Sequence, residues 1–170
     1  MQHEKGAMKT EWINPFVESV YSLCSTMLSC GVERGQLGLA KGQTAAGGDI
    51  TALIGLSGMA RGMVALSFPA GTARAMVGRL LSIGEEEIDE SVSDGVAELV
   101  NIVAGSAKAK FSNGNGSDII SLGLPTVIHG GSQIIGCPSH STWLDVPFSS
   151  DLGPFSLRIT FELEPTKGGN

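Results

Sequence analysis

One stretch of the sequence, DGVAELVNIVAGSAK at residues 94–108, decides how the fold is interpreted. Its apolar side chains recur every three or four residues, which is the spacing of an α-helix. The pattern extends over residues 88–111 and predicts one long helix there. At about 100° per residue, five apolar residues fall on a single side that is predicted to be buried: Val92, Val96, Leu99, Val103 and Ala107.

The opposite side of this predicted helix carries a ridge formed by Asp94, Glu98, Asn101 and Gly105. Glu98 and Asn101 are three positions apart, so their side chains project from successive turns. Exposed helix faces usually carry long charged side chains, whereas small residues surround this ridge: Gly95, Ala97, Ala104 and Ser106. Each glycine costs about 1 kcal/mol of helix stability relative to alanine. A face that gives up stability and keeps a carboxylate and an amide predicts a docking surface, without identifying the partner.

Two further helices are predicted. Asn14-Pro15 is a favourable helix start, and apolar residues at helical spacing extend that helix over 15–30. A second helix is predicted over 70–82. The acidic run at 85–87 precedes the long helix, where carboxylates suit the positive end of the helix dipole.

The strands alternate with these helices without a βαβ rhythm. They are predicted at 50–56 and 63–68, as a hairpin, and at 119–128, 141–148 and 155–164, with weaker alternation around Leu37 and Leu39. In the last strand Arg158, Thr160 and Glu162 alternate with apolar residues, which predicts that one face of the strand is exposed to solvent. The fold class predicted is α+β, with a mainly antiparallel β-sheet packed against helices. It forms a single domain over 12–164, with flexible tails at 1–11 and 165–170.

The composition excludes several classes of protein. The 170 residues include 11 Lys and Arg against 17 Asp and Glu, a net charge of −6. Acidity argues against a nucleic-acid partner, because neutralising phosphates needs clustered basic residues. At 42% apolar residues the chain is too hydrophobic to be disordered. One compact domain with a substantial core remains.

Processing signals and cysteines point to the cytoplasm. The N-terminal stretch lacks the apolar segment of a signal peptide, and no run approaches the roughly 18 apolar residues of a membrane span. Cys24, Cys30 and Cys137 match no zinc or redox spacing. We expect buried, reduced thiols in a cytoplasmic protein that has no membrane partner.

At the ridge, the sequence resembles the signature helix of the CheX/CheC/FliY phosphatases, which act on the chemotaxis response regulator CheY. The family pattern is Asp or Ser, three residues, Glu, two residues, Asn and a later Pro, and Asp94, Glu98 and Asn101 match it. Pro125 follows Asn101 after 23 residues, one more than the family spacing. Three other segments resemble CheX in order and spacing: residues 13–16, 55–68 and 124–127.

This resemblance implies a phosphatase that hydrolyses the aspartyl phosphate of a CheY-type receiver domain. Asn101 would orient the attacking water, Glu98 would pair with the receiver's active-site lysine, and Asp94 would be a supporting charge. The expected receiver-binding surface also includes Ala97, Ile102, Gly105 and Lys108. The resemblance further implies no cofactor of its own, because magnesium would be carried by the receiver. It also implies a homodimer.

Three alternatives compete with this interpretation. Glu11 and Asn14 repeat the Glu-x-x-Asn spacing, but Ala7 replaces the leading acidic residue and Asn14 suits a helix cap. We interpret this repeat as coincidence, which favours CheX over the two-motif CheC. The second alternative is a non-catalytic receiver-binding or flagellar-switch module of the same fold. The third is a small-molecule or metal enzyme using His129, Cys137 and His140, which lack a partner cluster in the sequence.

Overall fold

The fold was analysed in a computed structural model of the chain. The structure describes residues 2–41, 43–45, 48–111, 120–131, 134–136 and 142–163. Its three α-helices are α1 (Gln2–Ser22), α2 (Ala70–Leu81) and α3 (Glu85–Phe111), and a π-helical turn (Leu23–Met27) extends α1.

Ten strands form two sheets in the described part of the chain. They are β1 (Val32–Arg34), β2 (Gly38–Lys41), β3 (Gln43–Ala45), β4 (Ile50–Gly58), β5 (Ala60–Phe68), β6 (Ile120–Leu122), β7 (Thr126–His129), β8 (Ile134–Gly136), β9 (Thr142–Ser150) and β10 (Gly153–Leu163). The large antiparallel sheet has the order β1-β9-β10-β5-β4-β6, with β2 also pairing with β9 and β7 with β4. β3 and β8 form a separate two-stranded sheet. The predicted α+β class is therefore confirmed.

The three helices cover one face of the large sheet. Alternate residues of the central strands, such as Ile54, Leu66 and Ile159, point into one apolar core together with the inner sides of the helices. Trp12 of α1 stacks on Phe111 of α3 with ring centroids 4.8 Å apart, which closes the core at the end of α3. The long helix thus lies on the sheet with one side available to solvent.

The second face of the large sheet is less exposed than the sequence predicts. Only 9% of Arg158 and 1% of Thr160 is exposed. The prediction of a solvent-exposed face on β10 is therefore wrong at these two positions. A second apolar cluster of Ala65, Ile135 and Trp143 lies on this face, and Ile135 belongs to the small sheet. On this face Arg158 Nε donates a hydrogen bond to Asp145 Oδ1 at 3.3 Å.

The first helix begins earlier than predicted. Pro15 lies inside α1, so the start at residue 15 and the capping role of Asn14 are both wrong. Residues 2–11 are helical, while their flexibility and the domain boundary at residue 12 stay predictions. Buried Ile13, Phe16 and Val17 hold this part of α1 against the core. Such packing outweighs the hydrogen bond that an internal proline removes.

The predicted strand over 119–128 is interrupted in the structure. Leu122 pairs with Leu56, and Thr126 pairs with Leu53. Three residues therefore lie between the two pairs on this strand, opposite only two residues of β4. Gly123 still donates its N–H to Gly55 at 2.9 Å, which leaves two residues opposite Ile54. One extra residue on one strand defines a β-bulge, and we call residues 123–125 the edge bulge. Proline has no N–H to offer a sheet, which makes Pro125 compatible with this position.

The structure describes two of the three cysteines. Cys24 and Cys30 are free; Cys24 is buried as predicted, whereas Cys30 is only half-buried. Burial raises the pKa of the Cys24 thiol to about 12, with a smaller contribution from the nearby Cys30. Cys137 lies outside the described residues.

Candidate functional site

The buried side of α3 agrees with the predicted stripe. Val96, Leu99, Val103 and Ala107 are fully buried, and Val92 packs against the same core. The helix begins at Glu85 and not at residue 88, because the acidic run forms its first turn. Carboxylates are favourable there since the helix N-terminus carries partial positive charge. The face of α3 that meets solvent is thus fixed by the packing of the opposite face.

The ridge of Asp94, Glu98, Asn101 and Gly105 lies on the outer face of α3. Asp94 and Glu98 are exposed, while Asn101 and Gly105 are half-buried. The turns of α3 give Glu98 and Asn101 neighbouring positions. A carboxylate and an amide therefore stand side by side, the carboxylate free to meet a cation and the amide able to donate and accept hydrogen bonds.

The small residues of α3 serve two different purposes. A Cβ on Gly105 would have no heavy atom within 4 Å, so this position keeps the ridge low. A Cβ on Gly95 would instead clash with the side chain of Val77, and Ala104 is fully buried. The prediction that Gly95 and Ala104 also clear the ridge is wrong, because Gly95 packs against Val77 and Ala104 lies inside the core.

The other residues predicted for the receiver-binding surface differ in their surroundings. Ala97 is half-buried beside the ridge. Ile102 is half-buried and packs against the main core, so part of its side chain is already in contact with protein. Lys108 is half-buried and takes part in an interaction within the chain. All three lie on the same helix as Glu98 and Asn101, but only Ala97 is as small as a close approach requires.

The edge strand β7 runs alongside α3 in the opposite direction. Ser93 Oγ lies 2.7 Å from His129 Nε2, and His129 pairs with Ile50 at the start of β4. The C-terminal end of α3 lies near the other end of β4. Trp12 contacts both Phe111 of α3 and Phe161 of β10. Phe161 pairs with Gly62, which in turn pairs with Leu56 of β4. α3 is therefore parallel to β4 and antiparallel to β7.

This arrangement brings the edge bulge close to the level of the ridge. From His129 back to Leu124 is about 16 Å at roughly 3.3 Å per strand residue. The same length of helix, at about 1.5 Å per residue, leads from Ser93 to the turn that carries Asn101 and Gly105. Nothing in the sequence indicated the exposure of Leu124 in this bulge.

Of the three residues named for the competing metal site, only His129 is described. No group of three or more His, Cys, Asp and Glu side chains that could hold an ion occurs in that part of the chain. His129 is engaged with Ser93, and Cys137 and His140 lie outside the described residues. None of the described helices is long and apolar enough to span a membrane.

The fold and the ridge define a domain of the CheC/CheX structural class. The solved structures that resemble it include a CheC-like superfamily protein from Shewanella, with 32% identity, coverage of 89% of this chain and 97% of that chain, and a TM-score of 0.76. A chemotaxis protein CheX from Desulfovibrio desulfuricans has 27% identity, coverage of 89% and 99%, and a TM-score of 0.77. CheX in a complex with CheY, BeF3 and Mg from Borrelia burgdorferi has 24% identity, coverage of 89% and 97%, and a TM-score of 0.70.

The family model described as chemotaxis phosphatase CheX matches residues 50–149. This match covers more than half of the chain, and the chain belongs to the CheX family. A search of the curated proteins finds no match.

Proposed function

We propose that this protein is a phosphatase that hydrolyses the aspartyl phosphate of a CheY-type receiver domain in chemotaxis signalling. The observation that carries the proposal is the pair of Glu98 and Asn101 on successive turns of the outer face of α3, with open space at Gly105. Membership of a family described as chemotaxis phosphatases supports the activity. The fold shared with CheX in a complex with CheY supports the class of partner.

The chemistry asks little of the catalytic side chains. An aspartyl phosphate is an acyl phosphate, and phosphoryl transfer proceeds through a loose transition state, so positioning and charge stabilisation supply most of the catalysis. In our proposal the Asn101 amide orients a water molecule in line with the phosphorus. As the bond from water to phosphorus forms, the bond to the aspartate oxygen breaks. The products are the free carboxylate and inorganic phosphate.

The carboxylates of the ridge hold the receiver in place. Glu98 pairs with the receiver's active-site lysine, a charge-assisted contact that fixes the register of the two proteins. Asp94, one turn earlier, is a supporting charge. Ala97 and Gly105 let the helix backbone approach the receiver closely, while Ile102 and Lys108 contribute at the margins of the same face. Magnesium enters with the receiver as part of the substrate.

Two further features belong to the proposal. The protein acts in the cytoplasm, where receiver domains are phosphorylated, and it is a homodimer whose sheets join edge to edge. An exposed sheet edge offers unpaired backbone groups to a second copy. Sedimentation of the purified protein tests the dimer, and a monomer at micromolar concentration would contradict it.

The test of the proposed activity is a phosphate-release assay on a panel of phosphorylated receivers from the same genome. We expect the wild-type protein to accelerate phosphate release from at least one receiver, and the variant Asn101→Ala to leave the spontaneous rate unchanged. Circular dichroism verifies that the variant is folded. Acceleration by Asn101→Ala equal to that of the wild type would refute the assignment of Asn101.

A further inference from the structure

The edge bulge carries the most exposed large hydrophobic residue of the described chain. Leu124 retains 89% of its surface. A single exposed leucine is common on protein surfaces, so exposure alone does not define a function. What distinguishes Leu124 is how rigidly it is held and what lies beside it.

Leu124 is held by its two neighbours. Gly123 donates its N–H to Gly55 at 2.9 Å, which ties the bulge to β4. Pro125 on the other side has its φ angle fixed by its ring. Because both neighbours are constrained, little backbone conformational entropy would be lost when a partner covers the leucine. A bulge at a sheet edge also redirects a side chain away from the regular alternation of the strand.

The position of the bulge relates Leu124 to the ridge. Residues 124 and 125 together oppose Ile54, whose buried side chain belongs to the face covered by the helices. The Ser93–His129 contact fixes β7 against α3, and the spacing of strand and helix brings Leu124 level with the Asn101 turn. On the helix, the small residue Ala97 lies between Ser93 and the ridge.

We infer that Leu124 is a specificity-determining residue, the apolar anchor that a bound receiver domain covers when it docks on the ridge. The inference rests on the proposed function, and it extends the docking surface from α3 to the neighbouring sheet edge. Protein interfaces combine an apolar centre with polar contacts around it, and the ridge by itself provides only the polar part. The receivers selected would carry an apolar side chain beside the phosphorylated aspartate.

The test compares two exposed aliphatic residues. Leu124→Ser removes the anchor, and Ile134→Ser, on β8 at the second face of the sheet, is the matched control because Ile134 is 65% exposed. We measure the affinity for a receiver held in its phosphorylated form by beryllium fluoride and magnesium, together with kcat and KM for phosphate release. Burying a leucine is worth about ten- to a hundredfold in affinity. We expect Leu124→Ser to raise Kd and KM by such a factor with kcat unchanged, Leu124→Met to restore both, and Ile134→Ser to match the wild type.

The possible failures are distinguishable. A wild-type protein that neither binds nor dephosphorylates any receiver refutes the proposed function, and the inference falls with it. A wild-type protein that is active, with Leu124→Ser equal to it in Kd and KM, refutes only the inference. Conversion of a dimer to a monomer by Leu124→Ser in sedimentation would assign Leu124 to a contact between copies of this chain, which also overturns the inference.

Discussion

The spacing Glu-x-x-Asn occurs on two helices of this protein, as Glu98 and Asn101 on α3 and as Glu11 and Asn14 on α1. Glu11, Asn14 and Glu98 are exposed, whereas Asn101 is half-buried. The surroundings differ. Asp94 precedes the pair on α3, whereas Ala7 holds the matching position on α1.

The two helices also differ at the residue one turn after the asparagine. Gly105 is the fourth ridge residue on α3, and the same spacing leads to Glu18 on α1. Glu18 is a long side chain engaged with Lys110 of α3 at 3.0 Å, while Gly105 faces open space. The same spacing can therefore stand on an open helix face or on an obstructed one. The neighbouring residues decide whether another protein can reach the glutamate and the asparagine.

The largest difference between the two helices is expected from their asparagines. Asn101→Ala should lower the rate of phosphate release at saturating receiver by about a hundredfold or more, the usual cost of losing one oriented catalytic hydrogen-bonding group. Asn14→Ala is the matched control and should retain the wild-type rate. Both variants are assayed against the same phosphorylated receiver. A loss of activity in Asn14→Ala as large as in Asn101→Ala would contradict the assignment of the catalytic role to Asn101 and not to Asn14.

The second expected effect comes from making α3 resemble α1 at the ridge. Gly105→Glu places on α3 the residue type that α1 carries as Glu18, and the open space around Gly105 lets the fold accommodate it. We expect the affinity for the receiver to fall more than tenfold, because the added side chain obstructs docking and its charge repels acidic receiver residues. Calorimetric titration measures the affinity. An unchanged Kd would mean that the receiver does not contact this turn.

The Kd values for the receiver should differ by about an order of magnitude between the two glutamate variants. Glu98→Ala removes the charge proposed to pair with the receiver's lysine, and truncating one charged partner at an interface mainly weakens binding. We expect Kd to rise about tenfold, while Glu11→Ala leaves it unchanged. Turnover lost with affinity retained in Glu98→Ala would instead place Glu98 in the chemical step.

The smallest effects concern the two glycines of α3, because Gly95 packs against Val77 of α2 whereas Gly105 faces open space. Gly105→Ala should stabilise the protein by up to about 1 kcal/mol, because alanine is the better helix former and the site is open. Gly95→Ala should lower the free energy of unfolding by about 1 kcal/mol, since the clash with Val77 outweighs the same helix gain. Urea denaturation measures both. Equal shifts in the two variants would contradict the distinction between a packing glycine and a ridge glycine.

Sequence reasoning predicted the elements whose pattern is local. The buried stripe of α3 and the hairpin of β4 and β5 agree with the structure because periodicity directly reflects burial. The start of α1 was predicted wrongly, because Asn14-Pro15 is a local helix signal that the packing of Phe16 and Val17 overrides.

What the sequence could not provide arises from contacts between distant segments. The burial of Thr160 depends on the second face of the sheet, and the need for Gly95 depends on Val77 of α2. The exposed Leu124 is set by a shift in register against β4, which no pattern within residues 119–128 encodes. The ridge itself was predictable, since one helix carries all of it.

We propose that α3 makes this protein an enzyme and not only a binding module. The most direct measurement follows phosphate release from an excess of phosphorylated receiver with a small, known amount of the wild-type protein. We predict that each protein molecule releases many phosphates, at a rate proportional to its concentration. Release limited to one phosphate per protein molecule, or binding without any acceleration, would contradict the claim and identify a non-catalytic receiver-binding module.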